Sequence, residues 1–164
     1  MTLGGEGSPT PQRAALVVGG TGLVGSALVR LLVGDPGWGR VHLLLRRPAP
    51  GLQELPGVVP YLQPPEEWGR DLAPFRVDAL FITLGTTRRK AGSDEAFREV
   101  DHGRVLACAR GGREGGVPHL QGISSTGANP RSPLLYPRTK GEMERDVEGL
   151  AYPSLALFRP PLLL

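Results

Sequence analysis

Tyr136 and Lys140 stand four residues apart, so on a helix they share one face. Eleven residues before the tyrosine, Ser125 sits in Gly122-Ile123-Ser124-Ser125-Thr126-Gly127, which reads as the close of a strand. A lysine ammonium beside a phenol stabilises the phenolate, and a hydroxyl at a strand end can hold a carbonyl oxygen. Together these groups can move a proton to or from a carbonyl or an alcohol. Composition sharpens the reading, because among the 19 lysines and arginines only Lys90 and Lys140 are lysine. Arginine cannot shift its pKa as lysine can, so a site needing a tunable, compact ammonium retains lysine even in an arginine-preferring chain.

A second constellation lies near the start of the chain. Ala14 to Gly25 run from a short apolar stretch through a glycine cluster into a helical pattern carried by Leu23, Ala27, Leu28, Leu31 and Leu32. Gly20, Gly22 and Gly25 fit G-x-G-x-x-G, while Gly19, Gly22 and Gly25 fit G-x-x-G-x-x-G, so the register stays open. Either way, small residues allow a tight strand-to-helix turn, and the N-terminus of the helix can hold a pyrophosphate. The next apolar run, Val41 to Leu45, ends in Arg46-Arg47 where an NAD site would usually offer Asp or Glu to the ribose 2'-OH. An arginine there can pair with a 2'-phosphate, which favours NADP(H).

Positioning these groups takes alternating strands and helices. Strand signals fall near 14–19, 41–45, 58–62, 77–83, 119–124 and 154–158, and helix signals near 23–33, 94–110 and 137–149, with a short element around Pro65 to Leu72. Ser93 is the expected N-cap of the second helix, whose buried face is read as Phe97, Val100 and Ala107. The fold class expected is α/β: a Rossmann-like doubly wound parallel sheet of about six strands with helices on both faces.

With 40% hydrophobic and 21% charged residues the balance is that of an ordinary globular domain. The net charge of +3 comes without a long basic run, which argues against nucleic acid, and no segment reaches the ~18 apolar residues that cross a membrane. Met1 to Arg13 is rich in Gly, Ser, Thr and Pro and reads as a flexible tail, not a secretory signal. A single cysteine excludes an internal disulfide, so a cytoplasmic protein is expected. Cys108 reads as a small core residue, and His42, His102 and His119 lack metal-site spacing. Arg88-Arg89-Lys90 follows the fourth strand; it reads either as a contact for a cofactor phosphate or an acidic substrate, or as a solvated basic loop.

The glycine turn, the serine pair and Tyr136-x-x-x-Lys140 resemble the short-chain dehydrogenase/reductase superfamily in its atypical branch. Leu84-Gly85-Thr86-Thr87-Arg88-Arg89-Lys90-Ala91-Gly92, Ser124 to Ala128, Tyr136 to Glu142 and Phe158-Arg159-Pro160 are similar to the Tat-interacting oxidoreductase (TIP30/CC3) family. The resemblance implies that Gly19, Thr21, Gly22, Leu23, Val24 and Gly25 line the pyrophosphate, that Arg46 or Arg47 meets the 2'-phosphate, and that Leu84-Gly85 lie beside the adenine-side ribose. It implies that Tyr136 and Lys140 are the catalytic pair and also touch the nicotinamide ribose, with Ser124, Ser125 or Thr126 holding the substrate oxygen. Members of that family continue well past the Phe-Arg-Pro motif, so residues 14–164 are expected to form an NAD(P)-binding domain lacking the C-terminal substrate part.

The function expected is an NADP(H)-dependent oxidoreductase acting on a small carbonyl or alcohol substrate. An alternative is a non-catalytic NADP(H) sensor that binds a protein partner, with a sugar-nucleotide epimerase as a weaker third reading. The oligomeric state is left open, a dimer included.

Overall fold

The computed structural model describes residues 12–70 and 72–161. The expected tail as far as Pro11 and the apolar end Leu162–Leu164 lie outside the described residues. Six strands form one all-parallel sheet in the order β3-β2-β1-β4-β5-β6. They are β1 (Arg13–Val18), β2 (Trp38–Leu45), β3 (Val58–Leu62), β4 (Ala79–Ile82), β5 (His119–Ile123) and β6 (Ser154–Phe158). The helices are α1 (Leu23–Gly34), α2 (Arg88–Ala91), α3 (Asp94–Arg98), α4 (Val105–Glu114) and α5 (Leu135–Glu148), with a π-helical turn (Glu99–Arg104) joining α3 to α4. β1 starts inside the expected tail: Arg13 pairs with Trp38, and its guanidinium lies 4.1 Å from the centre of the indole ring.

β1 shows why the apolar runs are continuous. Ala15 and Val17 point to one face, where they pack with Val29 and Leu32 of α1, while Leu16 and Val18 point to the other, with Val105, Cys108, Met143 and Val147 of α4 and α5. A parallel strand covered on both faces needs apolar residues at every position. The chain steps from β1 outward to β2 and β3, then returns to β4 on the other side of β1. That reversal opens a crevice at the carboxyl ends of β1 and β4, where open α/β sheets hold ligands.

Three helix readings change. Leu23, Ala27 and Leu31 face solvent, because the buried stripe of α1 is Gly25, Val29 and Leu32. The second helix keeps its Ser93 cap, whose hydroxyl accepts from the Ala96 N–H at 3.0 Å, but it is not uniformly α. Its π turn holds about one extra residue, and each residue of helix is worth about 100° of rotation. Ala107 consequently swings out to solvent while Cys108 and Ala109 turn inward; Val100 is only half-buried. Arg88 to Ala91 form a short helix where a loop was expected, capped by the Thr87 hydroxyl accepting from the Lys90 N–H at 3.2 Å. Helix α4 runs through Gly111 because the loop after β3 lies against it: a Cβ there would fall 1.9 Å from the Gly69 carbonyl oxygen.

Candidate active site

The glycine turn sits in the crevice between β1 and β4. Gly19 has φ +89°, and a Cβ on it would come within 2.7 Å of the Thr83 carbonyl carbon at the end of β4. A Cβ on Gly25 would lie 2.2 Å from the Gly19 oxygen, whereas one on Gly20 meets only the flexible end of Leu43. The backbone therefore requires glycine at 19 and 25, the ends of the G-x-x-G-x-x-G register, while a Cβ on Gly22 would make only ordinary contact with the Gly19 oxygen. Gly22 is the N-cap of α1 and makes no side-chain cap, and its own N–H donates to Gly19 O at 3.1 Å. The N–H groups of the first turn beyond it point at the crevice with the positive end of the helix dipole.

A cavity of about 210 Å³ extends from this turn along the ends of β1, β2 and β4. Gly19, Thr21, Gly22, Leu84 and Gly85 line it, as do Arg46 and Arg47 at the end of β2. Among the residues that sequence reasoning missed here are Trp68 from the loop after β3 and Arg104 from the π turn. They come together only through the packing of that loop on α4, which leaves no mark in local sequence. Among the described residues, every charged residue lining the cavity is an arginine. Val24 and Gly25 line neither this cavity nor its neighbour, and Gly25 acts from beneath by letting α1 approach the turn.

The second cavity, about 560 Å³, shares Gly22, Thr83, Gly85 and Thr86 with the first and opens toward α5. Leu23, Ser124, Ser125, Thr126, Tyr136 and Lys140 all line it, so the groups singled out at 125, 136 and 140 meet in one cleft. Tyr136 lies in the first turn of α5, stacked on Phe97 with ring centroids 5.6 Å apart and its residue 44% exposed. One turn on, Lys140 is buried, and its Nζ lies 2.6 Å from Asp101 Oδ1. The other carboxylate oxygen of Asp101 accepts from the Thr86 N–H at 2.8 Å. Asp101 went unnoticed in the sequence because Glu99, Asp101, His102 and Arg104 look like a solvated stretch. A signal existed: Asp101 stands four residues after buried Phe97, on the same face.

The three hydroxyls at the end of β5 are not equivalent. Thr126 Oγ1 donates to the carbonyls of Arg159 and Pro160, at 3.2 and 3.1 Å, and so ties the end of β5 to the segment after β6. Ser124 Oγ is turned toward Glu144 of α5 and helps keep that carboxylate charged, without completing a hydrogen bond of good geometry. Burial works to raise the Glu144 pKa, but the hydrogen bonds from Arg159, the nearby Ser124 hydroxyl and the charges of Arg159 and Lys140 win, holding it below the usual range. Ser125 Oγ is buried and has no partner among the described residues.

No family model matches the chain. Among characterised proteins, Protein FMP52, mitochondrial, of Debaryomyces hansenii is 34% identical over 153 residues, covering 92% of this chain and 67% of the relative. The Candida albicans protein of the same name is 34% identical over 155 residues, with the same coverage, and that of Coccidioides immitis 35% over 161 residues, covering 90% and 64%. The chain belongs to the FMP52 family. It spans about two thirds of the length of these FMP52 relatives. Their name also corrects the expected compartment: the FMP52 relatives are mitochondrial proteins, which overturns the cytoplasmic assignment. The lone cysteine could not have settled this, since it reports on disulfides and not on which reducing compartment holds the protein.

Solved structures agree on the fold. MoeE5 in complex with UDP-glucose and NAD superposes with a TM-score of 0.73 at 18% identity, covering 89% of this chain and 53% of that one. UDP-glucose 4-epimerase from Thermotoga maritima gives 0.70 at 18% identity, covering 89% and 54%. The Bordetella bronchiseptica enzyme WbmH in complex with NAD+ gives 0.74 at 13%, covering 91% and 56%. The chain thus has the Rossmann-like fold of these neighbours and spans just over half their length. The α/β, Rossmann-like fold class read from the sequence stands. The finer family is FMP52, where the motifs had pointed to TIP30/CC3.

Proposed function

We propose that the chain is an NADP(H)-dependent oxidoreductase of short-chain dehydrogenase/reductase type acting on a small carbonyl or alcohol. The observation that carries this reading is that Ser125, Tyr136 and Lys140 line one cleft continuous with the glycine turn. A dinucleotide suits the turn, because Gly19 and Gly25 let the turn, α1 and the end of β4 pack closely without side chains, and the N-terminus of α1 then faces the cavity. Arg46 and Arg47, in a cavity whose charged lining among the described residues is arginine, suit a 2'-phosphate. Thr21, Gly22 and the first turn of α1 would hold the pyrophosphate.

When bound, the cofactor supplies or accepts the hydride at the substrate carbon. Ser125 is the hydroxyl for the substrate oxygen, since Thr126 is committed to carbonyls and Ser124 faces Glu144. Tyr136 gives its phenolic proton to that oxygen during reduction and takes it back during oxidation. Lys140 stabilises the phenolate and is itself held in place by Asp101. The FMP52 relatives' name further supports a mitochondrial location, which fractionation of cells expressing the tagged protein would check.

Tyr136→Phe tests the assignment. The variant is expected to abolish aldehyde and ketone reduction while leaving NADPH affinity within a few-fold of wild type, because the hydroxyl acts mainly in the transition state. Turnover that survives Tyr136→Phe would remove its catalytic role. Tight NADPH binding by a wild-type protein that turns over no carbonyl would point instead to the NADP(H)-sensing alternative. For the cofactor, NADPH is expected to bind at least tenfold tighter than NADH, a difference of about 1.4 kcal/mol. Equal affinities, or a preference that survives joint replacement of Arg46 and Arg47 by alanine, would refute the 2'-phosphate assignment.

A further inference from the structure

The cleft that holds Ser125 and Tyr136 has an unbalanced charge. Among the described residues its lining carries two ammonium groups, Lys90 and Lys140, and one carboxylate, Asp101. Asp101 and Lys140 neutralise each other at 2.6 Å, both almost wholly buried. Lys90 makes no ion pair among the described residues, although its helix neighbour Arg88 is paired with Asp94. The Thr87 hydroxyl, which accepts from the Lys90 N–H, pins the lysine backbone to the cleft rim. Ser125 lines the same cavity, and its Oγ is buried without a partner among the described residues. The volume, about 560 Å³, is that of a small-molecule site.

We propose that this cleft takes a carbonyl compound that carries an anionic group, a carboxylate or a phosphate, with the carbonyl at Ser125 and Tyr136 and the anion at Lys90. The inference rests on the oxidoreductase reading and narrows its substrate class. Lys90 is the specificity-determining residue: an ammonium at the rim attracts the charged end of the substrate and sets which way round it enters. An unpaired lysine gains nothing from an uncharged carbonyl, so discrimination lies in substrate binding and not in the hydride step.

The test compares matched pairs of substrates with the full chain and NADPH: succinic semialdehyde against butanal, and glyceraldehyde 3-phosphate against glyceraldehyde. Wild type is expected to show kcat/KM at least tenfold higher for the charged member of at least one pair. Lys90→Ala should bring the pair together by raising KM for the charged member, Lys90→Arg should restore much of the difference, and the NADPH Kd should stay within about twofold. The proposal is overturned if charged and neutral members react equally in wild type, or if Lys90→Ala weakens both alike. It is also overturned if the loss falls on NADPH binding, which would assign Lys90 to the cofactor. A parallel calorimetric titration of succinate and inorganic phosphate into the NADP+-saturated protein separates this proposal from the reading beneath it. Anion binding that Lys90→Ala abolishes, in a protein that reduces no carbonyl, keeps the anion site and discards the oxidoreductase; no anion binding in wild type discards the anion site.

Discussion

Removing the carboxylate of Asp101 should cost the fold far more than a surface change would, and the size of the loss follows from the burial of its partner. The side chains of Asp101 and Lys140 are 1% and 3% exposed, so Asp101→Ala leaves an ammonium in the interior with no counter-charge. Breaking a buried pair from one side costs about 3–5 kcal/mol, part of it here from the Thr86 N–H that loses its acceptor. In a domain of this size each kcal/mol moves the melting temperature by about 2–4 °C, so Asp101→Ala should melt roughly 6–20 °C below wild type. Lys140→Met should do similar damage by stranding the carboxylate. The double variant Asp101→Ala, Lys140→Met removes both charges together and should recover a large part of the loss, as buried pairs replaced by apolar residues often do. Thermal unfolding followed by circular dichroism gives all four corners of the cycle. A melting point for Asp101→Ala within about 2 °C of wild type would refute the reasoning, as would a double variant that loses the sum of the two singles.

Ser125→Ala should lower kcat for carbonyl reduction tenfold or more with little change in melting temperature, whereas Thr126→Ala should lower the melting temperature by untying β5 from the segment after β6; the reverse pattern would exchange their roles. Gly25→Ala should abolish dinucleotide binding in an equilibrium titration, since its Cβ would lie 2.2 Å from the Gly19 oxygen and α1 could not approach the turn. Glu144 has a folded pKa below its ordinary 4.5, so its contribution to stability is fully present above that pH and is lost as pH falls through the folded value. Glu144→Gln should therefore flatten the decline of unfolding free energy in acid, measured by urea titration at a series of pH values below 5. Cys108 is wholly buried and its thiol is pushed up to about 12 by burial, so a thiol reagent should label it in native protein only as fast as the core opens; rapid labelling would contradict the packing of α4.

The central strands β1 and β4 were legible because they are buried on both faces and therefore read as apolar runs. Ser125, Tyr136 and Lys140 were legible because their spacing is local. What escaped was set by tertiary approach. The buried stripe of α1 is chosen by Gly25 sliding under Gly19, which overrides the more numerous leucines at 23 and 31. Trp68 and Arg104 reach the cofactor cavity from segments that sequence distance keeps apart. Asp101 was hidden by its company, a run of charged residues whose solvated look is true of Glu99 but not of its neighbour two positions on.

The π turn between α3 and α4 has a consequence for how this helix tolerates insertion and deletion. Its two halves answer to different customers: Phe97 and Asp101 serve the cleft, while Val105, Cys108 and Ala109 serve the sheet. In an unbroken α-helix both duties would share one phase. The wider turn offsets them by about 100°, so the number of residues between 99 and 104 becomes a setting in its own right. Deleting Gly103 would remove no interacting side chain, yet it would force the chain to misplace either the carboxylate that holds Lys140 or the apolar face beneath β4. Length, independent of chemistry, is the quantity this stretch has to conserve.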